Sequence, residues 1–331
     1  MIITAKAYPR AALIGNPSDG YFGKTIAFTF SNFCAKVVLY ESPELVIEPG
    51  PRDGSSFASV ADLADDVHKY GYYGGIRLIK AAIKCFGDYA RENGINLADR
   101  NFTLRYSSDI PNLVGLAGSS AIITACMRAM MSFYGVTIPN ARLANLVRAV
   151  ENVELGIAAG LQDRVAQAYQ GLVYMDFDRR LLEGRGYGEY RQLPADLMPP
   201  LYIAYRTDLS EGSEVFHNNI RDRFNAGDEA VVGAMRRWVE LTDRALAAME
   251  AKDYALLSSI MNENFDLRAK LYKLSDGNLR MVQTARAAGA SAKFSGSGGA
   301  IVGVCPDDAT YARLQESMSK IGVVTLRPAL A

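Results

Sequence analysis

The residues with the clearest chemical potential lie in a loop at positions 111–121, which reads PNLVGLAGSSA. The loop stands between a predicted strand and a predicted helix, with Ser119 and Ser120 at the expected helix N-cap. A glycine-rich turn that opens a helix presents unpaired backbone N–H groups at the positive end of the helix dipole. Such a turn binds anions, so the loop predicts a phosphate site, with an ordinary serine-capped connection as the alternative.

This glycine-serine loop matches neither common nucleotide-binding glycine motif. No Gly-Lys-Ser/Thr follows its glycines, which excludes a Walker A motif, and its spacing is not that of G-x-G-x-x-G. Its interpretation therefore depends on polar residues elsewhere in the chain.

Three further segments carry polar residues in apolar surroundings: residues 10–24 (RAALIGNPSDGYFGK), 151–164 (ENVELGIAAGLQDR) and 293–300 (KFSGSGGA). The first is a predicted strand that ends in a turn, the second joins two predicted helices, and the third is a predicted strand that ends in a glycine turn. Each has a structural explanation as well: a scaffolding turn, acids favoured at a helix start, and a hairpin. The functional interpretation of the third is a second backbone wall against an anion or substrate.

The elements that hold these segments in the first half follow from hydrophobic periodicity. Apolar runs between turn residues predict strands over 2–7, 10–15, 25–30, 35–40, 44–48, 101–107 and 171–177. Helical spacing predicts helices over 75–93, 120–134, 140–154 and 161–169. Residues 53–75 are predicted to be irregular, as a mobile connector, a lid or a loop that contacts the nucleotide base.

The second half has a different character. It predicts a strand over 201–206, amphipathic helices within 214–288, a strand–turn–strand over 290–304, a helix near 308–321 and a strand over 323–327. The polar stretch 178–193 is the predicted junction between the halves. Strands followed by helices, rather than strict alternation, predict an α+β fold in two lobes.

Composition restricts the class of protein. The chain has 331 residues, 49% of them hydrophobic and 22% charged, which is typical of globular proteins. Its formal net charge of zero argues against a nucleic-acid partner. Four dispersed cysteines and two histidines show no metal-ligand spacing, and so few histidines argue against a histidine-based triad or a histidine-rich metal site. Because neither a signal peptide nor a run of ~18 apolar residues is found, we expect a cytoplasmic protein without membrane contact.

Taken together, the four segments resemble those of the GHMP kinase family of small-molecule kinases, which includes galactokinase, homoserine kinase and mevalonate kinase. Residues 10–20, 111–121 and 293–300 are similar to its three motifs, in the same order. Residues 10–33 and 156–177 (GIAAGLQDRVAQAYQGLVYMDF) are closer still to its glucuronokinase branch, whose members phosphorylate D-glucuronate at the anomeric hydroxyl.

The resemblance implies a two-lobed GHMP kinase fold of the α+β class. It implies a ribosomal-protein-S5-like ATP lobe over residues 1–185 and a ferredoxin-like lobe over residues 186–331. It also implies ATP and Mg²⁺ as cofactors and a uronic acid or related sugar as the small-molecule partner. The oligomeric state cannot be predicted from these motifs.

The family's functional residues transfer to matching positions. The resemblance implies that the ATP phosphates are bound by Pro111, Gly115, Leu116, Ala117, Gly118, Ser119, Ser120 and Ala121. It implies Mg²⁺ ligation by Ser120 and Glu151 and catalysis by Asp163 with Arg10 facing it. Predicted substrate contacts are Asn16, Ser18, Asp19, Ser297 and Gly298, with Arg164 as our candidate for a sugar carboxylate.

Two departures from the family pattern leave alternatives open. The loop reads GLAGSSA, one residue longer than the commoner GLGSSA, so the serine assignments can shift by one. The turn before Asp163 is also one residue longer than in mevalonate kinase, which leaves Glu154 as a rival to Glu151. Other functions considered are a GHMP kinase for a neutral sugar or non-sugar alcohol, and a non-catalytic ligand sensor on the same fold.

Overall fold

The computed structural model describes residues 1–50, 53, 57–70, 74–97, 100–207 and 220–331, and in these ranges the strands form three four-stranded sheets. The strands are β1 Ile2–Ala7, β2 Arg10–Ile14, β3 Lys24–Thr29, β4 Ala35–Ser42, β5 Val46–Glu48, β6 Asn101–Ser108, β7 Leu172–Asp176, β8 Glu189–Leu193, β9 Leu201–Tyr205, β10 Lys293–Phe294, β11 Ala300–Val304 and β12 Val324–Leu326.

Helices pack on these sheets. They are α1 Val60–Tyr70, α2 Gly75–Glu92, α3 Gly118–Tyr134, α4 Asn140–Ala149, α5 Gln162–Tyr169, α6 Arg179–Arg185, α7 Glu229–Glu250, α8 Tyr254–Leu271, α9 Asp276–Ala287 and α10 Asp308–Ser319. A π-helical turn, Val150–Glu154, continues α4. No helix in the described ranges combines the length and the apolar character needed to cross a bilayer.

The first lobe contains two of the sheets, with strand orders β1-β4-β6-β5 and β2-β3-β7-β8. Helix α3 packs against β1, β4, α2 and α5. It is buried on most of its surface because its sequence, GSSAIITACMRAMMSFY, is apolar around nearly the whole helix. Strand β2 is buried along its full length and begins with Arg10, so the core itself delivers a charged side chain.

The second lobe is an antiparallel sheet of order β10-β11-β9-β12 covered by helices. Its core includes Tyr202, Phe265, Met281, Ile301 and Leu314. Strand β8 pairs with β7 of the first lobe, and near the C-terminus Leu330 forms a β-bridge with Phe30. The division at 185/186 stays a prediction.

Helices α7 and α8 anchor the turn that follows β2. The Asn264 side chain of α8 accepts from Gly15 N at 2.8 Å and donates to Asn16 O at 3.2 Å. Thr242 Oγ1 of α7 donates to Lys24 O at 3.0 Å. These bonds fix the polar turn of the first motif at the contact between the lobes.

The predicted elements are found with two corrections. Residues 53–75 are not wholly irregular, because Val60–Tyr70 form α1; residues 54–56 and 71–73 of this range lie outside the described residues. The predicted polar junction 178–193 contains α6 and β8. Hydrophobic periodicity did not predict α1, α6 or β8, because polar surface residues interrupt the short apolar pattern of each. Of the predicted helical region 214–288, residues 214–219 lie outside the described residues.

Candidate active site

Arg10, in the segment 10–24, connects that segment to the other three segments of the site. Its Nε donates to Asp163 Oδ1 at 2.7 Å, and its Nη2 lies 2.6 Å from the same oxygen. Its Nη1 donates to Gly115 O at 2.7 Å and to Ser295 O at 2.9 Å. Because Arg10 is only 5% exposed, these contacts hold its guanidinium rigidly between the helix that carries Asp163 and the two glycine turns.

Asp163 lies in the first turn of α5 with a cation on each side. Arg164 Nη1 donates to Asp163 Oδ2 at 3.2 Å, opposite the oxygen bound by Arg10. Burial alone would raise the pKa of Asp163, but Arg10 and Arg164 outweigh it and the pKa is lowered. The carboxyl is therefore ionised at neutral pH.

Arg164 is buried and turned toward Glu151. Its Nε donates to Glu151 Oε2 at 2.9 Å, and its Nη2 contacts the same oxygen. Burial disfavours the charged guanidinium, but Glu151 and Asp163 raise the pKa of Arg164. The structure thus engages this guanidinium with two protein carboxylates, an arrangement that does not favour our prediction that it binds a sugar carboxylate.

The glycine-serine loop opens α3, but not through a serine cap. The helix begins at Gly118, and its N-cap is Ala117 with φ 62° and no capping side chain. This corrects the predicted N-cap at Ser119 or Ser120, since both lie inside the first turn. Gly118 and Ser119 of that turn line the cavity, so its unpaired backbone N–H groups remain available to an anion there.

The two serines point in different directions. Ser119 Oγ donates to Glu151 Oε1 at 2.8 Å, whereas Ser120 Oγ donates to Ala117 O at 3.2 Å and its residue is 1% exposed. Consecutive helical residues are rotated by about 100°, so only one serine of the pair can face the acid. The expected pairing of Ser120 with Glu151 is therefore replaced by Ser119 with Glu151.

The structure also separates the two candidate acids. Glu151 is 1% exposed on the π-helical turn and lies in the site. Glu154 instead accepts from Lys84 Nζ at 2.5 Å on the outside of the lobe. The π-helical turn thus directs Glu151 inward, as is frequent for such turns at functional sites.

The third glycine segment closes tightly on the glycine-serine loop. A Cβ on Gly115, at φ +68°, would lie 2.9 Å from Ser297 N, and a Cβ on Gly296 would overlap Gly115 O. Only glycine allows this approach, which explains why both turns are rich in it. Arg268 of α8 fixes the turn by donating to Gly296 O at 2.9 Å and Ser297 O at 3.1 Å.

These elements surround a cavity of about 1180 Å³, larger than is usual for one small ligand. Predicted site residues that line it are Arg10, Asn16, Asp19, Pro111, Gly115, Leu116, Ala117, Gly118, Ser119, Glu151, Asp163, Arg164 and Ser297. Those that do not are Ser18, Ser120, Ala121 and Gly298. Ser18 is fully buried and its Oγ donates to Lys24 O at 3.0 Å, so its role is to shape the turn.

Asp19 has an unusual ionisation in this cavity. Burial and the neighbouring Asp163 raise its pKa from 3.8 to about 7, although Arg10 and Arg268 act in the opposite direction. Asp19 packs closely against Gly160, since a Cβ added to Gly160 would lie 3.0 Å from Asp19 Oδ2. The site therefore holds two carboxyls of opposite character, Asp163 ionised and Asp19 titrating near neutral pH.

Sequence reasoning missed two residues that build the cavity wall. Arg268 is one arginine on an amphipathic helix, with nothing in the sequence to distinguish it. Asp53 accepts from Gly50 N at 2.7 Å, from Ile76 N at 3.1 Å and from the Tyr106 hydroxyl. It thereby fixes the start of α2 beside the glycine-serine loop, and its only sequence signal is its place among glycines.

Comparison with known proteins identifies the architecture. The family description "GHMP kinases N terminal domain" matches residues 77–171, and "GHMP kinases C terminal" matches residues 245–324. The chain is 42% identical to probable glucuronokinase 2 of Arabidopsis thaliana, covering 96% of this chain and 89% of that protein. It is 41% identical to glucuronokinase 1 of the same plant, covering 98% and 91%.

The chain belongs to the GHMP kinase family. It is accordingly an ATP-dependent small-molecule kinase, as the resemblance implied. The crystal structure of Methanococcus jannaschii mevalonate kinase has the same fold, with a TM-score of 0.73 at 20% identity over 100% of this chain and 98% of that chain. The predicted α+β GHMP kinase fold is confirmed.

Proposed function

We propose that this GHMP kinase is a glucuronokinase, which transfers the γ-phosphoryl group of ATP to the anomeric hydroxyl of D-glucuronate. The observation that carries the proposal is sequence identity above 40% to two plant glucuronokinases along nearly the whole chain. The connected set Arg10, Asp163, Glu151 and Ser119 supports a catalytic rather than a sensory role. A sensor has no need of an acid linked to metal-binding oxygens.

In the proposed reaction the anomeric oxygen forms a bond to the γ-phosphorus as the bond from that phosphorus to the bridging oxygen of ADP breaks. The hydroxyl proton passes to Asp163. A carboxylate whose pKa is lowered is a weak base, so we infer that Asp163 chiefly orients the hydroxyl and takes the proton late. Arg10 holds Asp163 in place and stabilises negative charge on the transferring group.

The nucleotide phosphates are proposed to lie against the glycine-serine loop, with Mg²⁺ held by Ser119 and Glu151. A hydroxyl and a carboxylate oxygen 2.8 Å apart beside this loop suit a hard cation that keeps water and phosphate ligands. When bound, the metal would neutralise charge on the phosphates. We also propose that residues 1–185, extended by β8, form the ATP lobe, that the rest of residues 186–331 form the second lobe, and that the enzyme works in the cytoplasm.

The metal assignment predicts a difference between adjacent serines. Ser119→Ala is expected to raise the Mg²⁺ concentration for half-maximal rate about tenfold, the effect of losing one oxygen contact to a charged group. Ser120→Ala is the matched control and leaves that concentration unchanged, because in the described part of the chain Ser120 Oγ donates to the Ala117 carbonyl and not to Glu151. A magnesium titration of both variants measures this. The opposite pattern would return the ligand role to Ser120.

The acceptor is tested with a panel of sugars. We expect coupled ADP release to give a higher kcat/KM with D-glucuronate than with galacturonate, glucose or galactose. Equal or better use of a neutral sugar would support a neutral-sugar GHMP kinase instead. No ADP release with any of these acceptors would leave a non-sugar alcohol kinase or a sensor.

A further inference from the structure

A uronate kinase needs a cation for the substrate carboxylate, and the inner arginines of the cavity already have partners. Arg10 is bound to Asp163, and Arg164 is bound to Glu151 and Asp163. Arg268 donates to two backbone carbonyls of the third glycine segment. The recognition of a substrate carboxylate therefore requires other side chains.

Arg148 and Arg221 also line the cavity, and both are exposed to it. Arg148 Nε donates to Ala159 O at 3.1 Å, and Arg221 Nη2 donates to Gly20 O at 3.2 Å. Among the residues that the structure describes, neither forms an ion pair with a carboxylate. Each guanidinium is thus held at the wall by a neutral carbonyl with its charge uncompensated.

The two side chains bind backbone segments that adjoin Asp19. Gly20, the partner of Arg221, follows Asp19 directly, and Ala159, the partner of Arg148, precedes Gly160, which packs against Asp19 Oδ2. Arg221 also lies 5.0 Å from the centre of the Tyr21 ring, which restricts its position. The pair is therefore anchored next to the predicted sugar-binding turn rather than at the glycine-serine loop.

The electrostatics of the pair agree with this geometry. Burial lowers the pKa of Arg148 first, and the neighbouring cations Arg164 and Arg221 lower it further. The charge of Arg221 thus reaches Arg148 across a partly desolvated space. An anion between two such guanidiniums would relieve their repulsion and accept hydrogen bonds from both.

We propose that Arg148 and Arg221 together bind the carboxylate of the acceptor sugar, an inference that rests on the proposed function. In a pyranose uronate the carboxylate and the anomeric hydroxyl lie on opposite sides of the ring oxygen. A sugar whose anomeric hydroxyl meets Asp163 and whose ring lies against Asp19 therefore presents its carboxylate to this pair.

The test uses D-glucuronate and its neutral analogue D-glucuronamide, which differ only in the charged group. Arg148→Gln and Arg221→Gln are each expected to lower kcat/KM for glucuronate 10- to 100-fold, the range for a lost charged hydrogen bond. The KM for ATP and the kcat/KM for glucuronamide stay within about twofold. Arg148→Lys keeps the charge and is expected to recover part of the preference.

Arg142→Gln is the matched control, because Arg142 lies exposed on α4 outside the cavity and its loss leaves the preference unchanged. If both glutamine variants keep the acid-over-amide preference of the wild-type enzyme, the inference is wrong. The inference is also wrong if kcat/KM falls equally for glucuronate and glucuronamide and the affinity for ATP falls with it. That result indicates a structural or nucleotide-binding role. A wild-type enzyme that does not phosphorylate glucuronate would instead refute the proposed function itself.

Discussion

Replacing Asp163 with asparagine is expected to lower kcat about 10²- to 10⁴-fold while ATP binding stays close to that of wild type. The carboxylate is the side chain that Arg10 and Arg164 hold in the cavity, and we propose that the sugar hydroxyl meets its charge. An amide of the same shape keeps the packing but removes that charge. Steady-state kinetics with saturating ATP and glucuronate measures the loss.

Asp276→Asn is the control for this substitution. Asp276 also lies in the first turn of a helix, α9, but it is exposed and outside the cavity. Its variant should keep the wild-type kcat. Calorimetry with a non-hydrolysable ATP analogue reports nucleotide binding independently of turnover. A kcat within threefold of wild type in Asp163→Asn would rule out the proposed role.

The second large effect concerns pH and Asp19. Because the pKa of Asp19 is about 7, its carboxyl changes from neutral to ionised across the physiological range. We expect kcat/KM for glucuronate to rise with pH through about 7, since an ionised carboxylate accepts hydrogen bonds from sugar hydroxyls more strongly. Asp19→Asn should lower kcat/KM at pH 8 and remove this inflection. An unchanged inflection in the variant would assign it to another group.

Ionisation of Asp19 is expected to lower the stability of the protein, although it raises kcat/KM. The pKa of Asp19 is about 7 in the folded protein, above its ordinary value of 3.8, so the folded state binds the proton more tightly. Its contribution to stability is fully present below pH 3.8 and is lost as pH rises to about 7. Asp19→Asn removes the buried charge facing Asp163, and its stability relative to wild type should increase by about 1–3 kcal/mol between pH 5 and pH 8.

Urea unfolding of both proteins at the two pH values measures this difference. Asp276→Asn serves again as the exposed control, for which no pH-dependent gain is expected. The activity and stability effects have one cause, since the carboxyl that is unfavourable to bury above pH 7 is the one proposed to bind the sugar. A variant less stable than wild type at pH 8 would contradict the burial of this charge.

The sequence predicted the architecture and the segments of the site because those signals are local. Strand β2 reads as an apolar run that starts with an arginine, and α3 reads as a continuous apolar helix after glycines. The proximity of the four segments is long-range, and it followed from the family resemblance rather than from periodicity. That resemblance correctly brought Arg10 and Asp163 together, 153 positions apart.

The orientation of individual side chains was harder to predict. The helix start at Gly118, one residue before the serines, decides that Ser119 rather than Ser120 meets Glu151. The π-helical turn decides that Glu151 rather than Glu154 points inward. Neither orientation can be predicted from the sequence alone, because a shift of one residue rotates a helical side chain by about 100°. The ion pair between Arg164 and Glu151 also depends on this turn, because the turn sets the direction of the Glu151 side chain.

The most direct test of the proposed function is the identity of the product. We expect purified enzyme, supplied with ATP, Mg²⁺ and D-glucuronate, to yield ADP and one sugar phosphate in equal amounts. In ³¹P and ¹H NMR spectra the phosphorus should couple to the anomeric proton, which defines glucuronate 1-phosphate. Phosphate on another hydroxyl, or ATP left unconsumed in the presence of glucuronate, would contradict the account.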